Sequence, residues 1–142
     1  QIKWPFAKPR HTLSAWIALQ DTPVERGCMS FIAGSHEVED LPNIGTGDQE
    51  RWKVEKPDLE WWPRLTVPLK AGDCTFHNGM IMHAAGANLT EEWRVAHVVI
   101  LVDREAVYSG QKHVVTDSLG LEAGRRMPDD RFPPVEKYGV NG

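Results

Sequence analysis

The longest strand pattern in the chain is Trp93-Arg94-Val95-Ala96-His97-Val98-Val99-Ile100-Leu101-Val102. Its β-branched and other apolar residues are typical of a strand that is buried on both faces. A second pattern of this kind covers residues 11–19 and ends at Asp21-Thr22-Pro23, which is typical of a turn. Shorter strand patterns cover residues 28–32, 65–67, 74–77 and 80–83. Short strands separated by turn sequences, with little helix, predict a mainly all-β domain of sandwich or jelly-roll type.

The composition is that of one ordinary globular domain. The chain has 142 residues, of which 41% are hydrophobic and 25% charged. A net charge of −4 without a basic run argues against nucleic acid as a partner. The sequence contains neither a long apolar run that would span a membrane nor the layout of a signal peptide. Two cysteines are too few for a disulfide scaffold. We therefore expect a cytoplasmic protein that binds neither nucleic acid nor a membrane.

We interpret residues 1–142 as a single domain with four parts. Residues 1–36 are predicted to hold a strand pair, and residues 64–108 the core strands. Residues 109–142 are predicted to form an irregular tail. Residues 37–63 are polar, contain proline and glycine, and show no clean period, so they are predicted to form a long insertion. The insertion carries Trp52, Trp61 and Trp62. It is either a lid over the substrate or a segment that packs on the surface, and the sequence does not decide between these two roles.

Two residues of the second half are candidates for chemistry. His83 is followed by Ala84-Ala85-Gly86-Ala87, small residues that leave room beside its ring. Arg94 follows eleven residues later, on the same predicted strand face as Ala96, Val98 and Ile100. A buried guanidinium is costly without an anion, and its planar fork suits a carboxylate. The anion is either an acidic side chain of this chain or a bound ligand, and the spacing leaves both open.

A zinc site is the alternative that the residue types suggest, because Cys74, His77 and His83 are all competent zinc ligands. Cys74 and His77 differ by an odd number, however, so on one strand they point to opposite faces. Among other enzyme motifs, the chain contains no Gly-x-Ser-x-Gly and no Gly-rich phosphate loop. The residues therefore favour neither a serine hydrolase nor a nucleotide enzyme.

An ordered set of short segments resembles the phytanoyl-CoA dioxygenase family over most of residues 1–135. The segments are Trp16-Ile17-Ala18-Leu19, Gly27-Cys28-Met29, Gly34-Ser35-His36, Ala71-Gly72-Asp73-Cys74-Thr75-Phe76-His77-Asn78-Gly79, His83-Ala84-Ala85-Gly86-Ala87-Asn88, Arg94 and Arg131-Phe132-Pro133. The resemblance implies a double-stranded β-helix, or cupin-like jelly roll, that holds non-haem Fe(II) by two His and one carboxylate. It also implies 2-oxoglutarate and O2 as co-substrates and hydroxylation of an unactivated C–H bond of a small organic substrate.

By this resemblance His83 is the distal iron ligand and Arg94 binds the far carboxylate of 2-oxoglutarate. Trp16 matches a position that lines the 2-oxoglutarate pocket, and Trp4 and Phe6 are guesses for substrate contacts at the pocket entrance. These roles are chemically consistent, because imidazole and carboxylate ligands suit Fe(II) and leave positions open for oxygen and a chelating keto-acid. An Arg on a neighbouring strand can hold the other end of that acid.

The chain departs from the family pattern at two places. No His of the chain is followed two residues later by an acidic residue, so the family's His-x-Asp ligand pair is expected at or just before residue 1. The chain is therefore expected to be the C-terminal portion of a jelly roll, with unpaired strand edges that favour self-association. Ala85 also stands where the family often has a Ser that binds 2-oxoglutarate. These departures leave open a jelly-roll binding domain that has lost iron and, as a further alternative, a cupin-like zinc hydrolase.

Overall fold

A computed structural model describes residues 4–7, 12–41 and 51–135 of the chain. In these ranges it contains six β-strands, one short α-helix and four short 3-10 helices. The strands are β1 (Thr12–Ala18), β2 (Met29–Ile32), β3 (Arg64–Val67), β4 (Cys74–Asn78), β5 (His83–Ala85) and β6 (Ala96–Val102). The helix α1 covers Arg51–Glu55, and the 3-10 helices cover Val24–Arg26, Ser35–Glu37, Pro57–Trp61 and Asp117–Leu119. The prediction of a mainly β domain is confirmed.

The strands form two antiparallel three-stranded sheets, with the orders β4-β1-β6 and β3-β2-β5. The chain alternates between the two sheets: β1 lies in one, β2 and β3 lie in the other, and β4, β5 and β6 each change sheet. Two facing antiparallel sheets connected in this way form a jelly roll. The edge strands are β4 and β6 in the first sheet and β3 and β5 in the second, in the part of the chain that the structure describes.

The two sheets enclose an inner space that β1, β2, β4 and β5 line. In the first sheet Ser14 lies opposite His77, and Trp16 lies opposite Thr75, so these side chains share one face. That face contacts the second sheet, because the His77 ring lies 5.1 Å from the Phe31 ring of β2. We call the faces that meet here the inner faces of the two sheets.

The outer face of the second sheet carries a separate apolar core. It consists of the buried residues Ile32, Leu41, Trp52, Leu59 and Met82. Ile32 follows Phe31 in β2 and therefore points to the opposite side of the sheet. Trp52 of α1 is thus a core residue on the side away from His83 and does not cover it. Trp52 therefore cannot form part of a lid over His83, although a lid formed by other residues of the 37–63 segment stays a prediction. Residues 42–50 lie outside the described ranges.

The segment after β6 packs on the start of the chain. Phe6, Tyr108 and Met127 form a buried cluster against which Trp4, Val102 and Phe132 also pack. An adjoining cavity of about 760 Å³ lies along β6 and is lined by Trp4, Phe6, His113 and residues 131–135, among others. The tail therefore has fixed contacts up to residue 135, although it contains little regular structure.

The strand that the sequence predicts over residues 80–83 is wrong in its bounds, since β5 covers His83–Ala85. Met80 and Ile81 instead belong to a turn in which the Met80 amide donates to Asn78 Oδ1 at 2.8 Å. The Ile81 amide donates to the Asn78 carbonyl at 3.1 Å. Met80 and Met82 are buried although they lie in or next to this turn. A buried turn contains apolar residues, and its sequence therefore resembles that of a strand. In the described residues, helices are too short or too polar to cross a membrane.

Candidate active site

His83 lies at the start of β5, on the inner face of the second sheet. Its Nδ1 is 2.9 Å from the Ile81 carbonyl oxygen, and because that oxygen only accepts, Nδ1 carries the proton in the neutral ring. The lone pair is then on Nε2. Burial lowers the pKa of His83, and the backbone bond to Ile81 partly offsets this. A neutral ring whose Nδ1–H is held by a backbone carbonyl has the orientation and tautomer typical of a metal-ligating histidine.

His77 lies beside His83, and the sequence alone does not assign it a role in this site. The two ring centroids are 4.7 Å apart in an edge-on arrangement, and His77 is 8% exposed. Its Nδ1 is buried and has no hydrogen-bond partner among the described residues. Burial, with a smaller contribution from His83, lowers the pKa of His77 to about 4. His77 is therefore a neutral, buried histidine whose ring contacts His83, the candidate metal ligand.

Arg94 reaches into the space between the sheets just before β6 begins. Its Nη1 donates to the Gly27 carbonyl at 2.6 Å and to the Gly86 carbonyl at 3.0 Å. These carbonyls lie next to the start of β2 and the end of β5, which pair at one end of the second sheet, so two neighbouring strands orient the guanidinium from that end. No acidic side chain of the described residues pairs with Arg94. The intramolecular ion pair that the sequence left open is therefore not formed there.

Gly27 makes the position of Arg94 possible. Its φ is 76°, in the left-handed region, and a Cβ at this residue would collide with the Gly86 carbonyl and lie 2.6 Å from Arg94 Nη1. Only glycine combines this backbone conformation with the absence of a side chain. The Gly27-Cys28-Met29 segment thus has a physical reason to begin with glycine.

Trp16 occupies the inner face of the first sheet, between Thr75 on β4 and Val98 on β6. It is partly buried. The next inward pair toward Arg94 is Ala18 opposite Ala96, and both side chains are small. Trp16 and Arg94 thus border the same inner space, with an alanine pair between them.

Trp4 and Phe6, the predicted substrate contacts, lie elsewhere in the described structure. Their rings stack nearly parallel with centroids 6.3 Å apart, and the Trp4 ring lies 4.8 Å from that of His113. Phe6 is buried in the cluster with Tyr108 and Met127. The cavity along β6 includes both rings, but within the described ranges neither ring contacts His83.

The described residues supply one candidate metal ligand and not a complete set. They contain no group of three His, Cys, Asp or Glu side chains that could hold a metal ion. Cys74 lies opposite Ile17, and His77 lies opposite Ser14, so Cys74 and His77 point to opposite faces as their odd spacing predicts. The three-residue zinc set is thus not assembled. The tautomer and orientation of His83 fit one position of an iron site.

Comparison with known proteins identifies the family of this fold. The family model described as phytanoyl-CoA dioxygenase (PhyH) matches residues 1–96. The chain belongs to the phytanoyl-CoA dioxygenase family. A phytanoyl-CoA dioxygenase domain-containing protein 1 homolog of Caenorhabditis elegans is 29% identical over 103 residues, which are 67% of this chain and 36% of that protein. The resemblance that the sequence motifs carry is therefore confirmed.

Among solved structures, the chain is similar to two non-heme alpha ketoglutarate dependent enzymes from nogalamycin biosynthesis. The non-heme alpha ketoglutarate dependent epimerase SnoN is 40% identical with a TM-score of 0.76, and the match covers 91% of this chain and 49% of SnoN. The carbocyclase SnoK is 38% identical with a TM-score of 0.73, over 87% of this chain and 48% of SnoK. The chain thus spans about half the length of these proteins. Both matches are too long to end at residue 96, so they include part of β6 and the tail.

Proposed function

We propose that the chain carries one side of the active site of a non-haem iron enzyme that uses 2-oxoglutarate and O2. The observation that carries the proposal is the pairing of His83, held as a metal-ligating tautomer, with Arg94, whose charge has no acidic partner in the described ranges. Family membership and the similarity to SnoN support it. A structure of SnoN contains Fe3+ and alpha ketoglutarate, the same compound as 2-oxoglutarate, and that protein is 39% identical to this chain.

Each residue of the site has a distinct role in this proposal. His83 holds the iron through Nε2, and the other two ligands come from residues outside the described ranges. Arg94 binds the far carboxylate of 2-oxoglutarate with the donors that Gly27 and Gly86 do not occupy, because a guanidinium has five N–H groups. Trp16 forms a wall of the pocket and excludes water. When bound, iron with 2-oxoglutarate and O2 supplies the oxidising power that breaks a C–H bond.

We assign the reaction as hydroxylation, in which a substrate C–H bond becomes C–OH while 2-oxoglutarate and O2 become succinate and CO2, one oxygen atom entering each organic product. SnoN and SnoK are described as an epimerase and a carbocyclase. A product that gains one labelled oxygen under ¹⁸O₂ supports hydroxylation. A product of unchanged mass with an inverted carbon, or of ring closure by loss of two hydrogens, assigns the chain to the chemistry of those relatives instead.

The cavity along β6 is a candidate site for the part of a small organic substrate that lies away from the reacting bond, because its lining does not include His83, Trp16 or Arg94. Its volume of about 760 Å³ lies in the range of small-molecule sites, and it combines apolar walls with a few polar groups. Trp4, Phe6 and His113 present rings to it. Trp4→Ala is expected to weaken binding of the fluorescent probe 1-anilinonaphthalene-8-sulfonate severalfold. The matched control is Trp61→Ala, since Trp61 is exposed and remote from this cavity. Equal probe binding by both variants would remove Trp4 from the substrate site.

The proposed function is tested by adding Fe(II) and 2-oxoglutarate anaerobically to the complete protein encoded by the gene. A chelated complex gives a weak visible charge-transfer band, and admission of O2 releases succinate. We expect His83→Ala to lose both signals and His97→Ala to keep them, because His97 is exposed and lies on the opposite face of β6 from Val98. Absence of the band in the wild-type protein would contradict the proposed enzyme function and favour a binding domain that has lost iron. Tightly bound zinc with indifference to 2-oxoglutarate would favour the zinc hydrolase.

A further inference from the structure

Strand β4 has its polar and apolar sides reversed relative to an ordinary strand. Phe76 is 67% exposed, whereas the neighbouring His77 is buried. Thr75 and His77 are two residues apart and share the inner face. A strand normally buries its apolar side and leaves polar groups in water. The reversal directs a hydroxyl and an imidazole into the space between the sheets.

Both inward groups contain a buried polar atom that has no hydrogen-bond partner among the described residues. The atoms are Thr75 Oγ1 and His77 Nδ1. Buried polar atoms of native proteins are nearly always hydrogen-bonded, and an unpaired one costs free energy. Two such atoms on one strand face, beside Trp16 and His83, indicate a ligand that supplies the missing partners.

The path of the chain sets Thr75 at the same level as Ala85. The chain reverses between β4 and β5, and His77 of β4 contacts His83 of β5. Two residues back along β4 lead to Thr75, and two residues forward along β5 lead to Ala85. Ala85 is the position at which the family often has a Ser that binds 2-oxoglutarate. Thr75 and Ala85 are therefore equally far along their strands from the contact between His77 and His83.

We propose that Thr75 and His77 form a polar subsite that binds 2-oxoglutarate between His83 and Arg94 and replaces the hydroxyl absent at Ala85. The Thr75 hydroxyl and one N–H of the neutral His77 ring each donate to an oxygen of the dicarboxylate. Between this subsite and Arg94 the inner face of the first sheet carries only the small side chains of Ala18 and Ala96. The existence of this subsite rests on the proposed function, because it assumes that 2-oxoglutarate is the ligand of Arg94.

The test measures the Kd of 2-oxoglutarate for the complete protein loaded with Mn(II), by isothermal titration calorimetry. Thr75→Val keeps the shape and removes the hydroxyl, and His77→Phe keeps a ring and removes the nitrogens. Each is expected to raise Kd about fivefold, the effect of one hydrogen bond. Adding Ala85→Ser to Thr75→Val is expected to restore most of the affinity, because it returns a hydroxyl to the same level. Thr66→Val is the matched control, since Thr66 is exposed and bonds Ser30 on the other side of the second sheet.

The outcomes separate the subsite from the function. A wild-type protein that binds no 2-oxoglutarate in the presence of the metal overturns both the proposed function and the subsite. Wild-type binding with unchanged Kd values in Thr75→Val and His77→Phe overturns the subsite alone. A rise in Kd that Thr66→Val shares, or that Ala85→Ser does not reverse, also overturns it, because the effect would then be structural.

Discussion

The two sides of the β3-β2-β5 sheet differ in polarity and in how their buried polar atoms are paired. On the outer side, apolar residues of the sheet meet Trp52 and Leu59 of the insertion. The polar atom buried there is fully paired: Ser35 Oγ donates to the Ile32 carbonyl at 2.7 Å and accepts from the Met82 amide at 2.8 Å. On the inner side Phe31 lies against His77 and His83, and His77 Nδ1 is buried without a described partner.

This difference separates stability from function within one small sheet. The outer side combines a buried apolar cluster with a paired hydroxyl, so its contribution is to hold β2 and β5 in place. The inner side retains imidazoles and a guanidinium charge that no acidic side chain of the described residues pairs, where apolar residues would be more stable. Local conflicts of this kind are expected at functional sites. The comparison predicts that outer substitutions cost stability, whereas inner substitutions cost ligand binding.

The largest expected effect is on the outer side. Leu59 is 2% exposed, and Leu59→Ala leaves a cavity that is expected to lower the free energy of unfolding by about 2–5 kcal/mol. Urea denaturation at neutral pH measures it. The inner counterpart is His77→Phe, which removes a polar atom that has no partner in the described ranges and is expected to change stability by less than about 1 kcal/mol. Equal losses in the two variants would erase the distinction between the two sides.

The next effect is on the inner side and concerns affinity. Arg94→Met removes the charge but keeps an extended side chain, so the far carboxylate of 2-oxoglutarate loses its partner. A hydrogen bond to a charged group contributes about 1.5–3 kcal/mol, which corresponds to a rise in Kd of roughly 10- to 150-fold. Calorimetric titration of the Mn(II)-loaded protein measures this. A Kd within a factor of two of the wild-type value would show that Arg94 orients the loops around Gly27 and Gly86 and binds no ligand.

Much of the fold could be predicted from the sequence because β-branched runs and turn residues agree with the final sheets. The patterns over residues 11–19 and 93–102 contain β1 and β6. The predicted strand over residues 80–83 is wrong in its bounds because Met80 and Met82 are apolar residues that are buried at a turn. Among the site residues, the spacing of His83 and Arg94 was visible, but the carbonyl partners of Arg94 depend on loops that are distant in sequence.

The burial of Thr75 and His77 could not be predicted from the sequence. Their alternation with Phe76 was readable, and the usual rule would bury Phe76 and expose the polar pair. Whether a polar side chain is buried and unpaired depends on the facing sheet, and no local pattern reports it. The lid is a similar case, because the Trp content of the insertion does not reveal on which side of β2 the insertion packs.

A further test of the inner side is the pH dependence of stability in protein freed of metal by chelation. His77 has a pKa of about 4, and that of His83 is also lowered, whereas an unfolded His titrates near 6.5. Below pH 6.5 the unfolded state therefore binds more protons, and stability falls as pH decreases toward 4. Between pH 7 and 5 His77 is expected to remove about 2 kcal/mol. His77→Phe should lose correspondingly less over this range in urea denaturation, and parallel pH profiles would contradict the burial of a neutral His77.

The smallest effect concerns the link between the backbone of the second sheet and Arg94. Gly27 and Gly72 both have positive φ, 76° and 93°, but a Cβ at Gly72 meets nothing within 4 Å. Gly27→Ala and Gly72→Ala therefore share a conformational cost of about 1–2 kcal/mol in unfolding. Only the Cβ at residue 27 displaces the guanidinium, so only Gly27→Ala is expected to raise the Kd of 2-oxoglutarate, by about fivefold for one weakened hydrogen bond. If both variants bind 2-oxoglutarate as tightly as the wild type, the carbonyls of Gly27 and Gly86 do not set the position from which Arg94 acts.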